Sequence, residues 1–387
     1  MYMQSAPVRY LRPQIIKDLN RKMVFLGGPR QVGKTTLARS LIPRGQEDAY
    51  FNWDSDEDRE RLLNRQFPPH RLWVLDEIHK NRRWRGWLKG LFDKNRDHHQ
   101  ILVTGSARLD LYRFGGDSLQ GRYHFLRLHP FTASELKIND ASGWRQLYEH
   151  SGFPEPFLGG SAVEAKRWSR EYRTRLLRDD LASLERIEDL TLLEQLMLRL
   201  PDLVSNPLSI NGLREDLRVS HRALSRWLDI FERVYAIFRL APFGSAKLQG
   251  LKKAQKHYHY DWTLVKEPGA RFENMVGSHL LAWVNLLEDT EGRDMALRYY
   301  RDNEKREVDF MVTEDDKPLL MVECKHADSG VSPHLQYLKG KLPHVPAWQL
   351  SHTGTKDYVT ESGIRVAPAY KMLSADSLRS LTNRAET

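Results

Sequence analysis

Short apolar runs alternate with longer amphipathic stretches along the first 130 residues of the chain. The runs Met23–Leu26, Leu72–Leu75 and Ile101–Val103 are apolar at consecutive positions, which is typical of strands buried on both faces of a parallel sheet. Between them, the spacing of apolar residues predicts helices over Lys34–Leu41 and Arg85–Asn95. The amino-terminal third of the chain is therefore predicted to be a layered α/β domain.

The middle of the chain has a different pattern. From Thr132 to Leu200 it is mostly helical, and two short amphipathic segments follow at Ile210–Leu217 and Ser220–Val234. Their spacing resembles a helix-turn-helix, with Ser220 placed to cap the second helix and Tyr235–Leu240 as a wing strand.

A phosphate-binding motif follows the first predicted strand. Gly28 to Thr35 reads G-x-x-x-x-G-K-[ST] and opens a predicted helix, which is the context that this motif requires. The backbone N–H groups would surround phosphate oxygens, Lys34 would reach the β and γ phosphates, and Thr35 would ligate Mg²⁺. We therefore expect ATP and Mg²⁺ as cofactors. The expected nucleotide-contacting residues are Gly28, Pro29, Arg30, Gln31, Val32, Gly33, Lys34, Thr35, Thr36, Thr104 and Ser106.

Two carboxylates end the second apolar run and complete the predicted site. Asp76 would hold Mg²⁺ through water, and Glu77 would orient the attacking water as a catalytic residue. Thr104 and Ser106, after the third run, would sense the γ-phosphate or position water. Arg122 is the candidate arginine finger, and a surface salt bridge is the alternative for this side chain. Arg108 and Arg113 compete for the same role.

A second acidic pattern lies near the carboxyl end of the chain. Asp309 and Glu323 are equally spaced about position 316, so a hairpin turning there would place the two carboxylates opposite each other. Glu323 and Lys325 would share one face, with Cys324 on the other. Two facing carboxylates can bind a divalent cation, and a nearby lysine can activate water. A solvated cross-strand salt bridge is the alternative.

Several motifs together resemble the prokaryotic AAA+ ATPases that carry a nuclease-like carboxyl-terminal domain. The motifs are Gly28–Thr35, Leu75–Ile78, Thr104–Ser106, Gly121–Arg122, Leu128–Leu136 and Gly152–Pro156. The resemblance implies an α/β fold with a P-loop AAA+ parallel sheet, a helical and winged-helix segment, and an α/β restriction-endonuclease-like end. It implies domains at 1–135 (ATPase core), 136–200 (helical lid), 201–245 (winged helix-turn-helix) and 246–387 (nuclease-like).

The carboxyl-terminal pattern is similar to the PD-(D/E)xK nuclease superfamily. The resemblance gives Asp309, Glu323 and Lys325 catalytic roles and adds Glu273 as a further acid. Glu273, Asp309 and Glu323 would then hold Mg²⁺ or Mn²⁺. A nuclease fold can also serve as a binding module without catalysis, and the residues alone leave that open.

Composition narrows the class of protein. Of the 387 residues, 40% are hydrophobic, which excludes a disordered chain, and the single cysteine, Cys324, excludes an internal disulfide. No apolar run approaches the roughly 20 residues of a membrane span, and Met1–Tyr10 lacks the apolar stretch of a signal peptide. We therefore expect a cytoplasmic protein with no membrane partner.

The charge balance points to polyanionic partners. There are 60 Lys and Arg against 51 Asp and Glu, a formal net charge of +9. Basic residues cluster around the predicted helix-turn-helix, where DNA contact and a purely architectural role are the two interpretations. They are Arg214, Arg218, His221, Arg222 and Arg226. A second basic stretch, interleaved with aromatic residues, is either a nucleic-acid contact or an exposed linker. It comprises Lys247, Lys252, Lys253, Lys256, Tyr258 and Tyr260.

Two functions are consistent with these patterns. The first is an ATP-hydrolysing AAA+ protein that acts on duplex or branched DNA by remodelling, branch migration or translocation. It would work as a homo-oligomer, taken as a hexamer, in which a neighbour's arginine completes each site. The second is a nucleotide-gated protein-interaction switch whose carboxyl-terminal domain is a non-catalytic binding module.

Overall fold

The computed structural model describes residues 7–105, 119–177, 190–244 and 255–383. The chain divides into two compact units. The first comprises Met1–Pro130 with Arg233–Tyr235, and the second comprises Phe131–Glu232 with Ala236–Thr387. The four-domain division expected from the sequence remains a prediction.

A five-stranded parallel sheet forms the centre of the first unit, in the order β2-β3-β4-β1-β5. The strands are β1 (Met23–Gly27), β2 (Tyr50–Asn52), β3 (Leu72–Asp76), β4 (Gln100–Thr104) and β5 (Tyr123–Arg127). Every residue of β1 and β3 is buried, as their continuous apolar runs predict. All three strands predicted from the apolar runs are confirmed.

The described helices of the first unit connect these strands. They are α1 (Arg12–Leu19), α2 (Lys34–Arg39), α3 (Asp56–Leu63) and α4 (Trp84–Asn95). Helix α2 ends two residues earlier than the predicted Leu41, and α4 begins one residue before the predicted Arg85. Trp84 and Phe92 of α4 lie in a buried cluster that also contains Phe25, Phe51 and Trp73 from the sheet. Aromatic packing therefore fixes the sheet whose carboxyl edge carries the phosphate-binding motif.

The second unit begins with helices, as the sequence predicts. They are α5 (Ala141–His150), α6 (Pro154–Gly159), α7 (Ala162–Arg175), α8 (Leu190–Arg199), α9 (Ile210–Leu217) and α10 (His221–Arg233). The chain turns between α9 and α10 at Arg218, which adopts a left-handed backbone conformation with φ 55°. Ser220 Oγ accepts a hydrogen bond from the N–H of Ala223 at 3.1 Å, which confirms the predicted cap of α10.

Two strands follow the helix pair. β6 (Ile237–Leu240) pairs antiparallel with β7 (Lys256–His259). The predicted strand at Tyr235–Leu240 is thus present over its last four residues. Its partner β7 lies in the basic stretch that the sequence predicts to be either a nucleic-acid contact or an exposed linker.

A mixed six-stranded sheet occupies the rest of the second unit, in the order β12-β13-β11-β10-β9-β8. The strands are β8 (Met295–Arg301), β9 (Glu307–Glu314), β10 (Lys317–Lys325), β11 (Ala347–Ser351), β12 (Tyr358–Val359) and β13 (Ile364–Pro368). Strands β8, β9 and β10 are antiparallel neighbours, whereas β10, β11 and β13 run parallel. The hairpin between β9 and β10 turns at Asp315 and Asp316, both at positive φ, as a two-residue hairpin loop requires.

Four further helices lie in the described part of this unit: α11 (Pro268–Glu291), α12 (Pro333–Lys341), α13 (Ala369–Met372) and α14 (Ala375–Asn383). Helix α11 lies against the sheet so closely at Gly277 that a Cβ there would sit 2.9 Å from the ring of Phe310. This close approach holds Glu273, one turn earlier on α11, against the strands. Within the described ranges, no helix combines the length and the hydrophobicity that a membrane-spanning segment needs.

Candidate nucleotide site and carboxylate cluster

The loop after β1 has the backbone of a phosphate cradle. Gly28 adopts φ 129°, and a Cβ at this position would lie 2.3 Å from the carbonyl oxygen of Leu128. Gly33 precedes α2 at φ 96°, in the left-handed region. Only glycine meets both requirements without strain, so the two glycines of the motif are explained by geometry.

Lys34 lies at the start of α2 and is buried. Its Nζ donates hydrogen bonds to the carbonyl oxygens of Gly28 (2.9 Å) and Pro29 (2.6 Å). The ammonium is therefore held across the mouth of its own loop by neutral acceptors. A polyphosphate bound in the loop could replace these carbonyls with charged oxygens, which form stronger hydrogen bonds.

The carboxylate of Asp76, at the end of β3, accepts hydrogen bonds from three hydroxyl groups. Thr35 Oγ1 donates to Oδ2 at 2.9 Å, Tyr50 Oη donates to the same oxygen at 2.7 Å, and Thr104 Oγ1 donates to Oδ1 at 2.6 Å. Burial and the charge of Asp76 raise the pKa of Tyr50, so its hydroxyl stays a donor. The parallel sheet thus brings Thr35, Asp76 and Thr104 together at one edge, as the sequence predicts.

Glu77 follows directly in a left-handed conformation with φ 58°. Its N–H donates to the carbonyl oxygen of Thr104 at 2.9 Å, which fixes this unusual backbone. Its Oε2 lies 3.5 Å from Nζ of Lys80. Burial raises the pKa of the Glu77 carboxyl, although the charge of Lys80 opposes the rise.

The remaining predicted nucleotide contacts have different positions. Thr36 is exposed in the first turn of α2. The hydroxyl of Thr104 donates its hydrogen bond to Asp76. Ser106 lies outside the described residues, as do Arg108 and Arg113.

Arg122 is at the opposite edge of the sheet from its own phosphate loop. It precedes β5, whose first residue pairs with Met23 at the start of β1, whereas the loop follows the end of β1. Five strand residues at about 3.3 Å each separate the two edges by roughly 15 Å. Its guanidinium forms a bidentate ion pair with Asp93, at 2.7 and 3.1 Å. The expected finger therefore cannot serve its own chain's loop from this position, and the alternative of a salt bridge is what the structure shows.

Arg9 is a residue of this site that the sequence patterns did not single out. Its buried guanidinium donates to the carbonyl oxygen of Val32, inside the phosphate loop, and to that of His129, both at 2.5 Å. The contact bridges residues 23 and 120 positions apart in the chain, so no local signal could have revealed it.

The second site lies in the other unit, at the hairpin of β9 and β10. The register places Phe310 opposite Val322 after a shift between Pro318 and Leu320, so Asp309 faces Glu323, as predicted. The N–H of Cys324 donates to Oδ2 of Asp309 at 2.8 Å. Glu273, buried on α11, completes the group of acids.

Lys256 of β7 provides the cation among these acids. Its side chain is 0% exposed, and Nζ lies 2.7 Å from Glu307 Oε1, 3.2 Å from Glu273 Oε1 and 3.7 Å from Asp309 Oδ1. Tyr258 Oη donates to the same oxygen of Glu273 at 2.6 Å. Burial and the charge of Asp309 raise the pKa of Glu273 to about 7.

Glu323 and Lys325 share one face of β10, as period two predicts. Nζ of Lys325 donates to Oε1 of Glu323 at 2.8 Å, and Oε2 of Glu323 is buried with no hydrogen-bond partner among the described residues. Burial and the charge of Asp309 raise the pKa of Glu323 to about 7. These residues line a cavity of about 530 Å³, together with Lys266 and His326. Cys324 was expected on the opposite, buried face, but it is only half-buried and lines the same cavity.

The basic features of the second unit divide into buried and exposed groups. Lys256, Tyr258 and Tyr260 were expected at an exposed linker or a nucleic-acid contact, but all three are buried, so both interpretations are wrong for them. Lys247, Lys252 and Lys253 lie outside the described residues. The arginines around the α9–α10 turn are at the surface: Arg218, Arg222 and Arg226 are exposed and Arg214 is half-buried. Trp227 is half-buried and Phe231 fully buried, so both face inward as expected.

Comparison with known proteins agrees with the geometry of the first unit. Residues 20–137 match a family model described as an AAA domain. This part of the chain is similar to an AAA domain with a P-loop, and it is called the AAA domain below. Residues 141–267 and 268–372 match two further family models, each described as a domain of unknown function.

Related proteins add little about function. The chain is 26% identical to uncharacterized proteins of Mycobacterium bovis and Mycobacterium tuberculosis over 246 residues, 63% of this chain and 55% of each relative. The match therefore spans about half the length of these relatives. Among solved structures, the chain is similar to the Aeropyrum pernix ORC1 protein in complex with DNA, with 15% identity and a TM-score of 0.34. That similarity covers 66% of this chain and 91% of the other.

A second solved structure is AMPPCP-bound DnaA from Aquifex aeolicus, with 15% identity and a TM-score of 0.27. It covers 57% of this chain and 86% of the other. Both TM-scores are too low to establish a common fold over the chain.

The AAA domain has the residues that a nucleotide and its Mg²⁺ require. The cradle at Gly28 has no room for a Cβ, Lys34 spans the loop, and Thr35 and Asp76 offer a hydroxyl and a carboxylate 2.9 Å apart. Oxygen ligands of this kind are the ones that Mg²⁺ prefers.

The carboxylate cluster does not fit the divalent cation that the nuclease resemblance implies. Among the described residues, no group of three or more His, Cys, Asp and Glu side chains is arranged to hold a metal ion. The ammonium of Lys256 lies instead between Glu273 and Asp309, two of the three expected ligands. Lys256 thus supplies a positive charge beside Glu273 and Asp309, two of the three acids on which the resemblance implies a metal, and the metal on Glu273, Asp309 and Glu323 stays a prediction.

Proposed function

We propose that this protein binds and hydrolyses ATP in its AAA domain and uses the energy to act on DNA. The observation that carries the proposal is the convergence of Lys34, Thr35 and Asp76 at the carboxyl edge of the parallel sheet. Two elements distant in sequence, α2 and β3, place an ammonium, a hydroxyl and a carboxylate around one cradle, which is the arrangement that binds a nucleoside triphosphate with Mg²⁺.

Each residue has a distinct role in this proposal. The loop N–H groups and Lys34 bind the phosphates, while Thr35 and Asp76 hold Mg²⁺, which offsets phosphate charge. Glu77 accepts a proton from the attacking water, and its raised pKa brings its basicity nearer to neutral pH. Thr104 keeps Asp76 oriented through the 2.6 Å hydrogen bond.

The exposed arginines near the α9–α10 turn support contact with DNA. Arg218 and Arg222 are both exposed. Arg218 lies at the turn that ends α9, and Arg222 lies in the first turn of α10. Guanidinium groups of this kind bind phosphates and orient a helix pair on a duplex. In a homo-oligomer, Arg122 would reach the phosphate loop of a neighbouring copy.

ATP turnover tests the first part of the proposal. Release of phosphate is measured in Mg²⁺ with the wild type, Lys34→Ala and Glu77→Gln, with and without linear and four-way-junction DNA. We expect Lys34→Ala to lose nucleotide binding, and Glu77→Gln to retain binding while its rate falls by about 10²-fold or more. Hydrolysis by Lys34→Ala at the wild-type rate would refute the assignment of the site.

Salt dependence tests the second part. Gel shifts of a duplex with the wild type, Arg222→Gln and Arg167→Gln are recorded over a range of salt concentrations. Arg167 is a matched control because it is an exposed arginine on α7, where it pairs with Glu164 at 3.1 Å. If Arg222 contacts a phosphate, its removal reduces the slope of log K against log salt by about 1, whereas Arg167→Gln leaves the slope unchanged. Salt-insensitive binding would count against DNA as the partner.

A second candidate function is a nucleotide-gated interaction switch whose second unit is a non-catalytic module. The specific observation in its favour is Lys256, whose ammonium lies where the nuclease interpretation requires a metal. This candidate predicts slow ATP turnover that no DNA stimulates, so the same phosphate-release measurements distinguish the two functions.

A further inference from the structure

Lys256 is a fully buried charge in the second unit, and it has more acidic neighbours than it needs for neutrality. Its side chain has no exposed surface, and three carboxylates lie within 3.7 Å of Nζ. They belong to Glu273 of α11 and to Glu307 and Asp309 of β9. A buried ammonium is tolerated only when it is paired and hydrogen-bonded, and this one is paired on three sides.

The carboxylates around Nζ of Lys256 match the hydrogen-bonding capacity of its ammonium group. An ammonium has three N–H donors and no acceptor. Glu307 at 2.7 Å and Glu273 at 3.2 Å lie within hydrogen-bond distance of Nζ, and Asp309 at 3.7 Å lies within ion-pair distance. A divalent cation bound to Glu273 and Asp309 would lie within a few ångströms of Nζ. Two like charges this close and away from water repel each other strongly, so the site holds one cation at a time.

We propose that the ammonium of Lys256 is the resident cation of this carboxylate cluster, and that the cluster therefore binds no divalent metal ion. This inference concerns the second unit alone and does not depend on ATP hydrolysis by the AAA domain.

The surroundings of Lys256 support a permanent position. β7 pairs with β6, with Lys256 opposite Leu240, and a further bridge joins Lys256 to Pro207. Oxygens that a metal would use are already bonded: Tyr258 donates to Oε1 of Glu273, and the N–H of Cys324 donates to Oδ2 of Asp309. The backbone and its hydrogen bonds thus hold both the lysine and its carboxylates in place.

One consequence concerns phosphodiester chemistry. The cluster contains four carboxylates, Glu273, Glu307, Asp309 and Glu323, against the two ammonium groups of Lys256 and Lys325. Metal-dependent hydrolysis relies on the metal to offset the charge of the phosphate and to generate hydroxide. With a lysine in that position, the cluster lacks the ion that would offset the phosphate charge and generate hydroxide, and it acts as a structural ion-pair centre.

Manganese binding by the full chain tests the proposal. Protein freed of nucleotide and treated with EDTA is titrated with Mn²⁺, and the free ion is measured by electron paramagnetic resonance. Tm is measured in EDTA and in Mn²⁺. Any Mn²⁺ at the AAA domain is identified by its loss in Asp76→Asn. For the wild type we expect no other bound ion, and for Asp76→Asn we expect no change in Tm on adding Mn²⁺.

Removing the ammonium gives the complementary measurement. Lys256→Met retains a long side chain but leaves the carboxylates without their cation, so we expect Tm to fall by several degrees. We also expect the variant to gain one Mn²⁺ per chain, with Tm partly restored. Lys266→Met is the matched control, because Lys266 lines the same cavity but is exposed, and we expect neither effect.

Two results would overturn the proposal. One is Mn²⁺ bound by the wild type that persists in Asp76→Asn and disappears in Glu323→Gln. The other is a Lys256→Met protein with the Tm of the wild type. The wild-type titration remains decisive even if Lys256→Met does not fold, because it requires no substitution of the lysine.

Discussion

The hydroxyl of Thr35 donates a hydrogen bond to the carboxylate of Asp76 over 2.9 Å, which joins the first turn of α2 to the end of β3. The two residues are 41 positions apart, and β3, which ends at Asp76, is buried along its whole length in the parallel sheet. A hydroxyl and a carboxylate this close offer adjacent oxygen ligands to one Mg²⁺.

Thr35→Val tests this pairing, because valine keeps the shape of threonine and removes only the hydroxyl. We expect the Mg²⁺ concentration for half-maximal ATP hydrolysis to rise at least about tenfold, since one ligand is lost. Thr35→Ser restores a hydroxyl and should stay near the wild type. Mg²⁺ titrations of phosphate release measure the effect, and identical midpoints for all three proteins would contradict the assignment.

Gly28→Ala tests the phosphate cradle. A Cβ here would lie 2.3 Å from the carbonyl oxygen of Leu128, at a backbone φ of 129° that alanine rarely adopts. We expect the free energy of unfolding to fall by about 1–3 kcal/mol, with loss of nucleotide retention. Gly90→Ala is the control, because Gly90 lies within α4 with open space around its Cβ position. Alanine favours a helix there, so urea unfolding should show a gain of up to about 1 kcal/mol.

The acid limb of the pH–rate profile should report on Glu77. A water-activating carboxylate works only when deprotonated, so its raised pKa makes hydrolysis fall at a higher pH than for an ordinary glutamate. The charge of Lys80 lowers that pKa, so Lys80→Met should move the acid limb to still higher pH. Lys94→Met, at an exposed position of α4, should leave it unchanged. A shift of the limb toward lower pH in Lys80→Met would contradict the role given to Glu77.

Glu323 should make the stability of the protein depend on pH. Burial raises the pKa of its carboxyl from 4.5 to about 7, so the folded protein binds a proton more readily than the unfolded chain. Its stabilising contribution is then present in full below about pH 4.5 and is lost as pH rises through about 7. Glu323→Gln, which does not titrate, should therefore gain stability over the wild type between pH 5 and pH 8.

Urea unfolding at several pH values measures this difference, with Glu304→Gln as the control. Glu304 is a highly exposed carboxylate, with a side chain 72% exposed. The free energies of unfolding of Glu323→Gln and the wild type are compared at each pH. If the advantage of Glu323→Gln shrinks as pH rises, the ionised carboxylate is stabilised by its surroundings and the prediction is wrong.

Arg9 should stabilise the phosphate loop from outside the motif. Arg9→Met leaves the buried carbonyl oxygens of Val32 and His129 without the guanidinium, which costs about 1–3 kcal/mol for each acceptor left unsatisfied. We therefore expect lower Tm and a raised KM for ATP. Arg12→Met is the control, since Arg12 donates to Ser40 at an exposed position. Equal effects of both substitutions on KM would refute a specific role for Arg9.

Much of the AAA domain could be predicted from its residues because its signals are local. A continuous apolar run indicates a strand buried on both faces, and the glycines, lysine and threonine of the loop are consecutive in sequence. Asp76 and Glu77 follow the end of such a run, so their edge of the sheet was predictable too. Tyr50, which donates to Asp76 at 2.7 Å, gave no such signal, because a tyrosine at the start of a short strand is common.

The hairpin of the second unit was predictable for a related reason. Asp309 and Glu323 are equally spaced about position 316, so a hairpin that turns there places them opposite each other, and period two sets Lys325 beside Glu323. Burial was not predictable in the same way: Lys256 and Tyr258 read as a basic and aromatic linker, yet they form β7 in the interior.

The sequence by itself therefore determined three strands of the parallel sheet, the phosphate loop and the identity of the acids, since each depends on residues that are neighbours along the chain. Only the tertiary structure decided which cation those acids hold, because the ammonium of Lys256 reaches Glu307 and Asp309 from a strand about 50 residues earlier. It also decided that Arg122 lies away from its own loop, since the direction of parallel strands, and not their composition, sets which edge a residue occupies.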